Sequence, residues 1–279
     1  MTKKSKVKIF VCCHKPEQKI PKNSVYVPLH VGRAKSTFKE QMQDYVGDDS
    51  GDNISDRNSH YSEATGIYWI WKNCHDCDYV GLIHYRRNFA VEFSDENIDS
   101  FFVDGTDVIL AENYPRPRTR WHTVLTYMQM EDFIIMQEVI KKMYPEYLST
   151  LNRFLRDYID YPFNMVVCRK ELYNKYAEWL FSICFEMEKY IRYSGYSNSS
   201  RVFAYVTELL TPIYFIHNCC QIKEIPVVGN SGGNVCSSTK ARIFSNLMHH
   251  IIWRFRKNSP ISIDQSFYRG LEQDGIKIV

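Results

Sequence analysis

The sequence predicts an α/β fold in which a mostly parallel sheet is flanked by helices and followed by a helical C-terminal tail. Two observations support this prediction. Short apolar segments rich in Val and Ile, typical of strands buried on both faces, alternate with longer segments of helical periodicity. The chain of 279 residues is also long enough to bury a sizeable core, and its 44% hydrophobic and 24% charged residues are typical of soluble globular proteins.

Charge and cysteine content narrow the function classes. A net charge of +3 argues against a broad nucleic-acid-binding surface, so we expect no nucleic-acid partner. Nine cysteines, an odd number, and a polar start over residues 1–8 predict a reducing cytoplasmic location. Cys74 and Cys77 have CxxC spacing, but no second ligand pair follows, so we favour packing over zinc binding there. No apolar run reaches the length of a transmembrane helix.

The first strand is predicted over residues 6–13, and His14 follows it. In open α/β sheets, ligands bind beyond the carboxyl ends of the strands, so His14 is a candidate nucleotide contact. A second extended segment, residues 23–31, is interrupted by Pro28. Residues 47–52 are rich in Gly and Asp and predict a solvated loop.

A helix is predicted over residues 63–73, with Ser59 or Ser62 as its cap. The next strand carries the most distinctive feature of the sequence, because it delivers His84, Arg86 and Arg87 within four positions. Alternation along a strand would place His84 and Arg86 on one face and Arg87 on the other. Such a cluster at a strand end suits a phosphate, since Arg presents a planar donor fork. A salt-bridged sheet edge is the alternative.

The remaining segments continue the alternation of strands and helices. Strands are predicted over residues 107–111, 161–168 and 224–228, and helices over residues 127–144, 145–158, 170–191 and 201–218, the last interrupted near Pro212. Residues 115–120 form a basic loop, and residues 229–238 predict a flexible segment.

The C-terminal tail has a different character. Residues 242–257 place a continuous apolar face beside basic residues, the pattern of a basic amphipathic helix. Such a helix either lies on an anionic membrane surface, through residues 240–257, or packs on its own domain. We therefore predict two regions: a main domain over residues 1–238, and an amphipathic helix and tail over residues 239–279.

Several long motifs carry a family resemblance. They are residues 9–16 (IFVCCHKP), 26–32 (YVPLHVG), 53–73 (NISDRNSHYSEATGIYWIWKN), 78–89 (DYVGLIHYRRNF), 107–110 and 163–170. Together they resemble the bacterial capsular and exopolysaccharide biosynthesis glycosyltransferases, over most of the chain up to Val228. The resemblance implies a GT-A-like, Rossmann-type sheet that binds a nucleotide-sugar.

The resemblance also implies a function. It predicts a hexosyltransferase that moves a sugar from a UDP-linked donor, with galactose or galactofuranose as candidates, to a growing capsular, exopolysaccharide or O-antigen glycan. A lipid-linked acceptor would put the protein at the inner face of the cell membrane. The alternative is a catalytically inactive nucleotide-sugar-binding partner in a polysaccharide assembly complex.

A weaker resemblance bears on metal dependence. In glycogenin-like transferases, an Asp-x-Asp motif at a strand end holds Mn²⁺ or Mg²⁺ on the donor diphosphate. The corresponding strand end here reads His84-Tyr85-Arg86. A divalent metal is therefore doubtful, because a cationic pair would neutralise the departing diphosphate directly.

Catalysis needs a stabilised leaving group, a held sugar and an activated acceptor hydroxyl. The predicted catalytic residues are His84, Arg86 and Glu208. The predicted donor-binding residues are His14, Asn53, Arg57, Asn58, Glu63, Arg87 and Asn164.

Glu208 is predicted as the base because its sequence neighbours are apolar, and burial would raise its pKa. A carboxylate paired with Arg201 or a helix neighbour is the alternative, and Asp160 is the reserve. Asn53 and Asn58 are equally suited to turns and helix caps.

Overall fold

The first predicted strand is observed as β1 (Val7–Cys13) in a computed structural model that describes residues 5–17, 19–21, 23–116, 118–197, 199–229, 239–255 and 261–278. The other strands are β2 (Tyr26–His30), β3 (Val46–Gly47), β4 (Tyr79–His84), β5 (Arg87–Phe89), β6 (Val108–Ala111), β7 (Tyr114–Pro115), β8 (Ile159–Asp160), β9 (Val166–Arg169), β10 (Ile222–Ile225) and β11 (Val227–Gly229).

The helices match most of the helical segments predicted from periodicity. They are α1 (Asn58–Tyr61), α2 (Ala64–Asn73), α3 (Ile98–Phe101), α4 (Arg120–Val124), α5 (Met130–Met143), α6 (Leu148–Leu155), α7 (Lys170–Glu188), α8 (Val202–His217), α9 (Thr239–Phe255) and α10 (Gln265–Gln273). Short 3₁₀ turns lie at Arg33–Lys35, Ser55–Arg57 and Pro145–Tyr147.

The chain divides into two compact units that interleave along the sequence. Unit 1 comprises Met1–Glu112, Tyr161–Glu178 and Asn218–Cys236, and unit 2 comprises Asn113–Asp160, Trp179–His217 and Ser237–Val279. The linear division into residues 1–238 and 239–279 stays a prediction.

Unit 1 contains the central sheet. Its strand order is β10-β6-β9-β4-β1-β2-β3, and β5 pairs with both β4 and β11. Along this path β9 pairs antiparallel with β4 and β6, whereas the other neighbouring strands pair in parallel. The predicted α/β class with a mostly parallel sheet is therefore confirmed.

The parallel register brings three strand ends to one edge of the sheet. Cys13, the last residue of β1, pairs with His30, the last residue of β2. On the other side of β1, Cys12 pairs with His84, which ends β4. The segments that follow β1, β2 and β4 therefore start from the same edge, where ligands bind in open α/β sheets.

Helix α2 covers one face of the sheet at close range. A Cβ added to Gly66 would lie 2.9 Å from Cys12 Sγ and 3.1 Å from Leu29 Cδ2. Because real Cβ atoms rarely come this close, the absence of a side chain at Gly66 lets α2 pack directly on β1 and β2. The start of α2 is thereby held near the carboxyl edge.

Unit 2 is largely helical. Its core includes Phe133 and Leu151, which are fully buried, and the ring of Tyr147 stacks between Trp179 and His217 at centroid distances of 4.7 and 3.7 Å. Strands β7 and β8 form a short antiparallel ladder. Among the residues that the structure describes, no helix is both long and apolar enough to cross a bilayer.

Several local predictions are wrong, each for a structural reason. Strand β2 continues through Pro28, which pairs in register with Val11. Helix α8 also continues through Pro212, which has no amide hydrogen to donate to the carbonyl of Glu208. Neither Ser59 nor Ser62 caps α2, because Glu63 occupies the N-cap position.

Two loop predictions have different outcomes. The segment of residues 47–52 is not uniformly solvated, since Asp48 is fully buried. The predicted flexible segment, residues 229–238, lies almost entirely outside the described residues.

Candidate active site

A cleft of about 330 Å³ lies beyond the carboxyl ends of β1 and β2 in unit 1. His14 enters it directly after β1, and Gly32 follows β2 with a φ of 68°. Polar side chains that line the cleft include Lys35, Ser36, Thr37, Ser55, Asp56 and Asn58. The cleft thus combines hydroxyl donors with two residues that can carry positive charge, the chemistry that a phosphorylated ligand requires.

Asp48 holds the walls of this cleft together. Its carboxylate accepts hydrogen bonds from the amides of Gly32 and Arg33 at 2.8 and 3.0 Å. It also accepts from the hydroxyls of Ser55 and Thr65. Because a buried carboxylate requires such donors, Asp48 fixes the loop after β2, the 3₁₀ turn and the start of α2 relative to one another.

His84, at the end of β4, belongs to a second polar group at the same edge. Its Nε2–H donates to the Phe163 carbonyl at 2.7 Å and lies 3.8 Å from Glu63 Oε1. The same Glu63 oxygen accepts from Asn164 Nδ2 at 3.2 Å. The structure therefore brings together three of the predicted site residues that lie far apart in the sequence: Glu63, His84 and Asn164.

The segment that carries Asn164 has an unusual backbone. Phe163 and Asn164 have φ values of 82° and 51°, in the left-handed region that non-glycine residues rarely adopt. Asn164 is 2% exposed, so its amide is fixed within the protein. Strained backbone of this kind is frequent at ligand-binding sites.

The predicted alternation of side chains after His84 is wrong. Tyr85 and Arg86 form a tight turn, and β5 returns antiparallel so that Arg87 pairs with His84. His84 and Arg87 are therefore cross-strand neighbours on one face, whereas Arg86 is exposed at the turn. The reason is the chain reversal, which ends the two-residue period of the strand.

Cationic groups surround the buried ring of Tyr85. The His14 ring packs edge-on at a centroid distance of 5.1 Å, and the Arg86 guanidinium lies 5.0 Å from the centroid. Lys15 Nζ lies 6.0 Å away. On the neighbouring strand, the Arg87 guanidinium lies 4.1 Å from the centroid of the Phe163 ring. We call His14, Lys15, Arg86 and Arg87 the cationic rim.

The other predicted donor-binding residues fare differently. Asn58 lines the cleft, but its amide also donates to the Ser62 carbonyl and to Thr65 Oγ1. Asn53 lies outside the cleft lining and bonds to Gly51 and Ser55, which matches the predicted alternative of a turn residue. Arg57 is exposed in the 3₁₀ turn. A donor-binding role for each of these residues stays a prediction.

The residues at the end of β4 do not by themselves form a site for a divalent metal. This strand end offers one imidazole, whose Nε2–H is directed at a carbonyl, and an arginine in the turn. Glu63 is the carboxylate beside them, and across the described ranges no three His, Cys, Asp or Glu side chains form a metal-binding group. Mn²⁺ and Mg²⁺ prefer several oxygen ligands, which this set does not supply.

The predicted base, Glu208, lies in α8 of unit 2 and is half-buried. The Glu208 carboxylate interacts electrostatically with Arg120. Arg120 is 1% exposed and forms an ion pair with the fully buried Asp160. Burial opposes the charge of Arg120, but Asp160, Tyr127 and Glu208 raise its pKa above the ordinary value. Arg116 also pairs with Asp160, at 2.7 Å, so Asp160, the reserve candidate for the base, takes part in two ion pairs.

The sequence reasoning missed Asp48, Lys35 and Ser36. Asp48 lies near two glycines and looks like a loop residue. A usable signal was the Ser- and Thr-bearing segment over residues 55–65, because a buried carboxylate needs hydroxyl and amide donors. Lys35 and Ser36 follow the turn at Gly32, just after the carboxyl end of β2. Because ligands bind beyond such strand ends, this position is the signal that could have identified them.

Comparison with known proteins identifies a similar structure and a family. The apo structure of WbbM, a bifunctional glycosyltransferase, superposes with a TM-score of 0.70 at 29% sequence identity. The match covers 83% of the present chain, which spans 46% of the WbbM chain. No curated protein matches significantly. A family profile matches residues 8–219, which include the cleft and the cationic rim. The chain therefore belongs to the family described as domain of unknown function DUF4422.

Proposed function

We propose that the chain is a glycosyltransferase that moves a hexose from a UDP-linked donor, with galactose or galactofuranose as candidates, to a growing bacterial glycan. The observation that carries the proposal is the cleft at the carboxyl edge of the sheet, which shares His14 with the cationic rim, in a chain similar to a glycosyltransferase over 83% of its length. That edge is where open α/β sheets bind nucleotides.

The donor diphosphate is the group best suited to the cationic rim. Arg86 is exposed, and both Arg86 and Arg87 lie over aromatic rings that restrict the guanidinium planes. A restricted guanidinium loses less rotamer entropy when it binds phosphate oxygens in bidentate fashion. We propose that these arginines, with His14 and His84, neutralise the diphosphate in place of a resident metal.

The remaining groups have roles in holding and activating the reactants. Glu63 and Asn164, fixed by their mutual hydrogen bond, contact the donor sugar, and Asn53, Arg57 and Asn58 contact the nucleotide. Glu208 removes the proton from the acceptor hydroxyl. A capsular, exopolysaccharide or O-antigen glycan on a lipid carrier is the proposed acceptor, which implies work at the inner face of the cell membrane.

Thermal unfolding with a panel of nucleotides tests donor binding. A ligand that binds only the folded state raises the apparent melting temperature. We expect UDP and UDP-hexoses to raise it, ADP and GDP to raise it less, and EDTA to leave the shift unchanged. A shift that requires Mn²⁺ would overturn the metal-free proposal, and no shift with any nucleotide would overturn donor binding.

Donor turnover then separates an enzyme from an inactive binding partner. In the absence of acceptor, transferases commonly hydrolyse their donor slowly, so UDP should accumulate from the UDP-hexose that gives the largest shift. The matched control is the Glu208→Gln variant, which lacks the proposed base in unit 2 but retains every donor-binding residue of unit 1. Donor binding without any release of UDP, with or without a lipid-linked glycan, would favour an inactive partner in an assembly complex.

A further inference from the structure

The surface of α9 departs from the usual arrangement of an amphipathic helix. Five of its large apolar side chains are 38–69% exposed: Ile243, Phe244, Leu247, Ile251 and Phe255. Spacings of three and four residues place them on a single side of the helix. Isolated exposed apolar residues are common on proteins, but a continuous stripe marks an interaction surface.

The opposite side of α9 attaches it to unit 2. Ser245 and Ile252 are 2% and 3% exposed. The His249 Nδ1–H and the Trp253 Nε1–H both donate to the buried carboxylate of Asp157, the latter at 2.7 Å. The Arg153 guanidinium lies 4.5 Å from the centroid of the Trp253 ring. Polar contacts thus hold the helix with its apolar stripe turned to solvent.

The charge of α9 indicates which kind of surface the apolar stripe binds. The segment over residues 239–255 contains Lys240, Arg242 and Arg254 and no Asp or Glu, and Arg256 and Lys257 follow in the sequence. Lys240 and Arg254 are exposed, and helical spacing puts them at the two ends of the stripe. Apolar side chains bordered by cations match the acyl boundary and anionic head groups of a lipid surface.

We propose that α9 is a membrane-docking helix whose apolar stripe inserts at the surface of an anionic bilayer while the Asp157 contacts keep it attached to unit 2. A protein partner with an apolar groove would not need a helix free of carboxylates, whereas acidic lipids favour one. The inference does not depend on the transferase activity, since neither donor nor acceptor takes part in docking.

Vesicle co-sedimentation of the full chain tests the inference. The protein should bind vesicles that mix phosphatidylcholine with phosphatidylglycerol and should bind neutral phosphatidylcholine vesicles much less. Replacing two exposed stripe residues, in an Ile243→Ser/Leu247→Ser variant, should lower the partition coefficient by about tenfold. Removing both end charges, with Lys240→Ala/Arg254→Ala, should lower it by a similar factor on anionic vesicles alone.

The matched control is Val103→Ser/Leu125→Ser, which removes two apolar side chains that are 50% and 40% exposed outside α9. This variant should bind vesicles like the unchanged protein. Equal binding by the stripe variant, or equal binding to neutral and anionic vesicles, would overturn the inference. So would a concentration-dependent dimer, seen by sedimentation velocity without lipid, that the stripe variant abolishes while no form of the protein binds vesicles.

Vesicle binding and nucleotide binding remain separable. The stripe variant should keep the melting-temperature shift with UDP, because the cleft lies in unit 1 and α9 in unit 2. Vesicle binding without a UDP shift would leave the docking inference intact and overturn the proposed donor site.

Discussion

Two buried carboxylates, Asp48 in unit 1 and Asp160 in unit 2, have different hydrogen-bond partners. In unit 1, neutral groups donate to Asp48: two backbone amides and the hydroxyls of Ser55 and Thr65. In unit 2, two arginines, Arg116 and Arg120, pair with the Oδ2 oxygen of Asp160. Asp48 therefore requires no arginine, whereas Asp160 holds the buried Arg120 inside unit 2. An arginine-rich stretch in sequence therefore does not by itself indicate a ligand site.

The largest effect on stability is expected from Asp160→Ala. The substitution leaves the buried Arg120 guanidinium without its main partner, at a cost of about 3–5 kcal/mol in the free energy of unfolding. Urea denaturation measures the loss. The control is Asp274→Ala, which removes an exposed pair with Arg192 and should cost less than about 1 kcal/mol. Equal costs in the two variants would mean that the buried pair of Asp160 with Arg120 contributes no more than an exposed ion pair.

The largest effect on activity is expected from Glu208→Gln. As general base, Glu208 should contribute about 10³-fold to the transfer rate while UDP affinity stays unchanged. Initial rates and the UDP-induced melting shift measure the two quantities. If Glu208 serves only to balance the charge of Arg120, the variant will instead lose stability and keep its transfer rate.

Asp48→Asn tests the set of uncharged hydrogen-bond donors that surrounds Asp48 in unit 1. The amide cannot accept from all four donors, so we expect a loss of about 2 kcal/mol in the free energy of unfolding and weaker UDP binding. Denaturation and titration with UDP report both effects. The control is Asp49→Asn, at a half-buried ion pair with Arg33. A stability loss with unchanged UDP affinity would mean that Asp48 supports the fold but not the cleft.

Another buried carboxylate, Asp132 of unit 2, provides a pH test. Burial raises its pKa from 3.8 to about 7, and the charge of Glu131 adds to the shift. The folded state therefore holds the proton more tightly than the unfolded chain, and this contribution to stability is lost as the pH rises from about 4 to about 7.

Asp132→Asn should consequently match the unchanged protein near pH 4 and exceed its stability by about 4 kcal/mol at pH 8. Urea denaturation across this pH range measures the difference. Glu146→Gln, at an exposed acid of the same unit, controls for the loss of one negative charge. A constant offset between Asp132→Asn and the unchanged protein would contradict the raised pKa.

The smallest effect, and the most specific, is expected from Arg86→Ala. Loss of a charge-assisted contact to the diphosphate should weaken UDP binding about tenfold without changing the melting temperature of the free protein. Arg169→Ala is a close control, because Arg169 is also exposed and lies 4.8 Å from a buried tyrosine, Tyr79, at the opposite end of β4. Equal UDP affinity in both variants would remove Arg86 from the donor site.

Much of the fold was predictable because the relevant signals are local. Apolar runs identify β1, β4 and β6, and helical periodicity identifies α2, α5, α7 and α8, since burial requires those patterns whatever the neighbours are. The cluster of His84 and the arginines at the end of β4 was also predictable, because these residues directly follow an apolar run. Family membership followed from long motifs in the same segments.

Tertiary structure decided the rest, because it depends on which distant residues meet. The turn at Tyr85 and Arg86 sets Arg87 beside His84, and the left-handed backbone at Phe163 and Asn164 delivers an amide to Glu63. Local sequence patterns likewise do not show the pairing of Arg120 with Asp160 or the exposure of the apolar stripe of α9. The sequence does not show whether a charged side chain is paired inside the protein or exposed, or whether an apolar side chain is buried. The neighbours that surround each residue in the folded protein decide this.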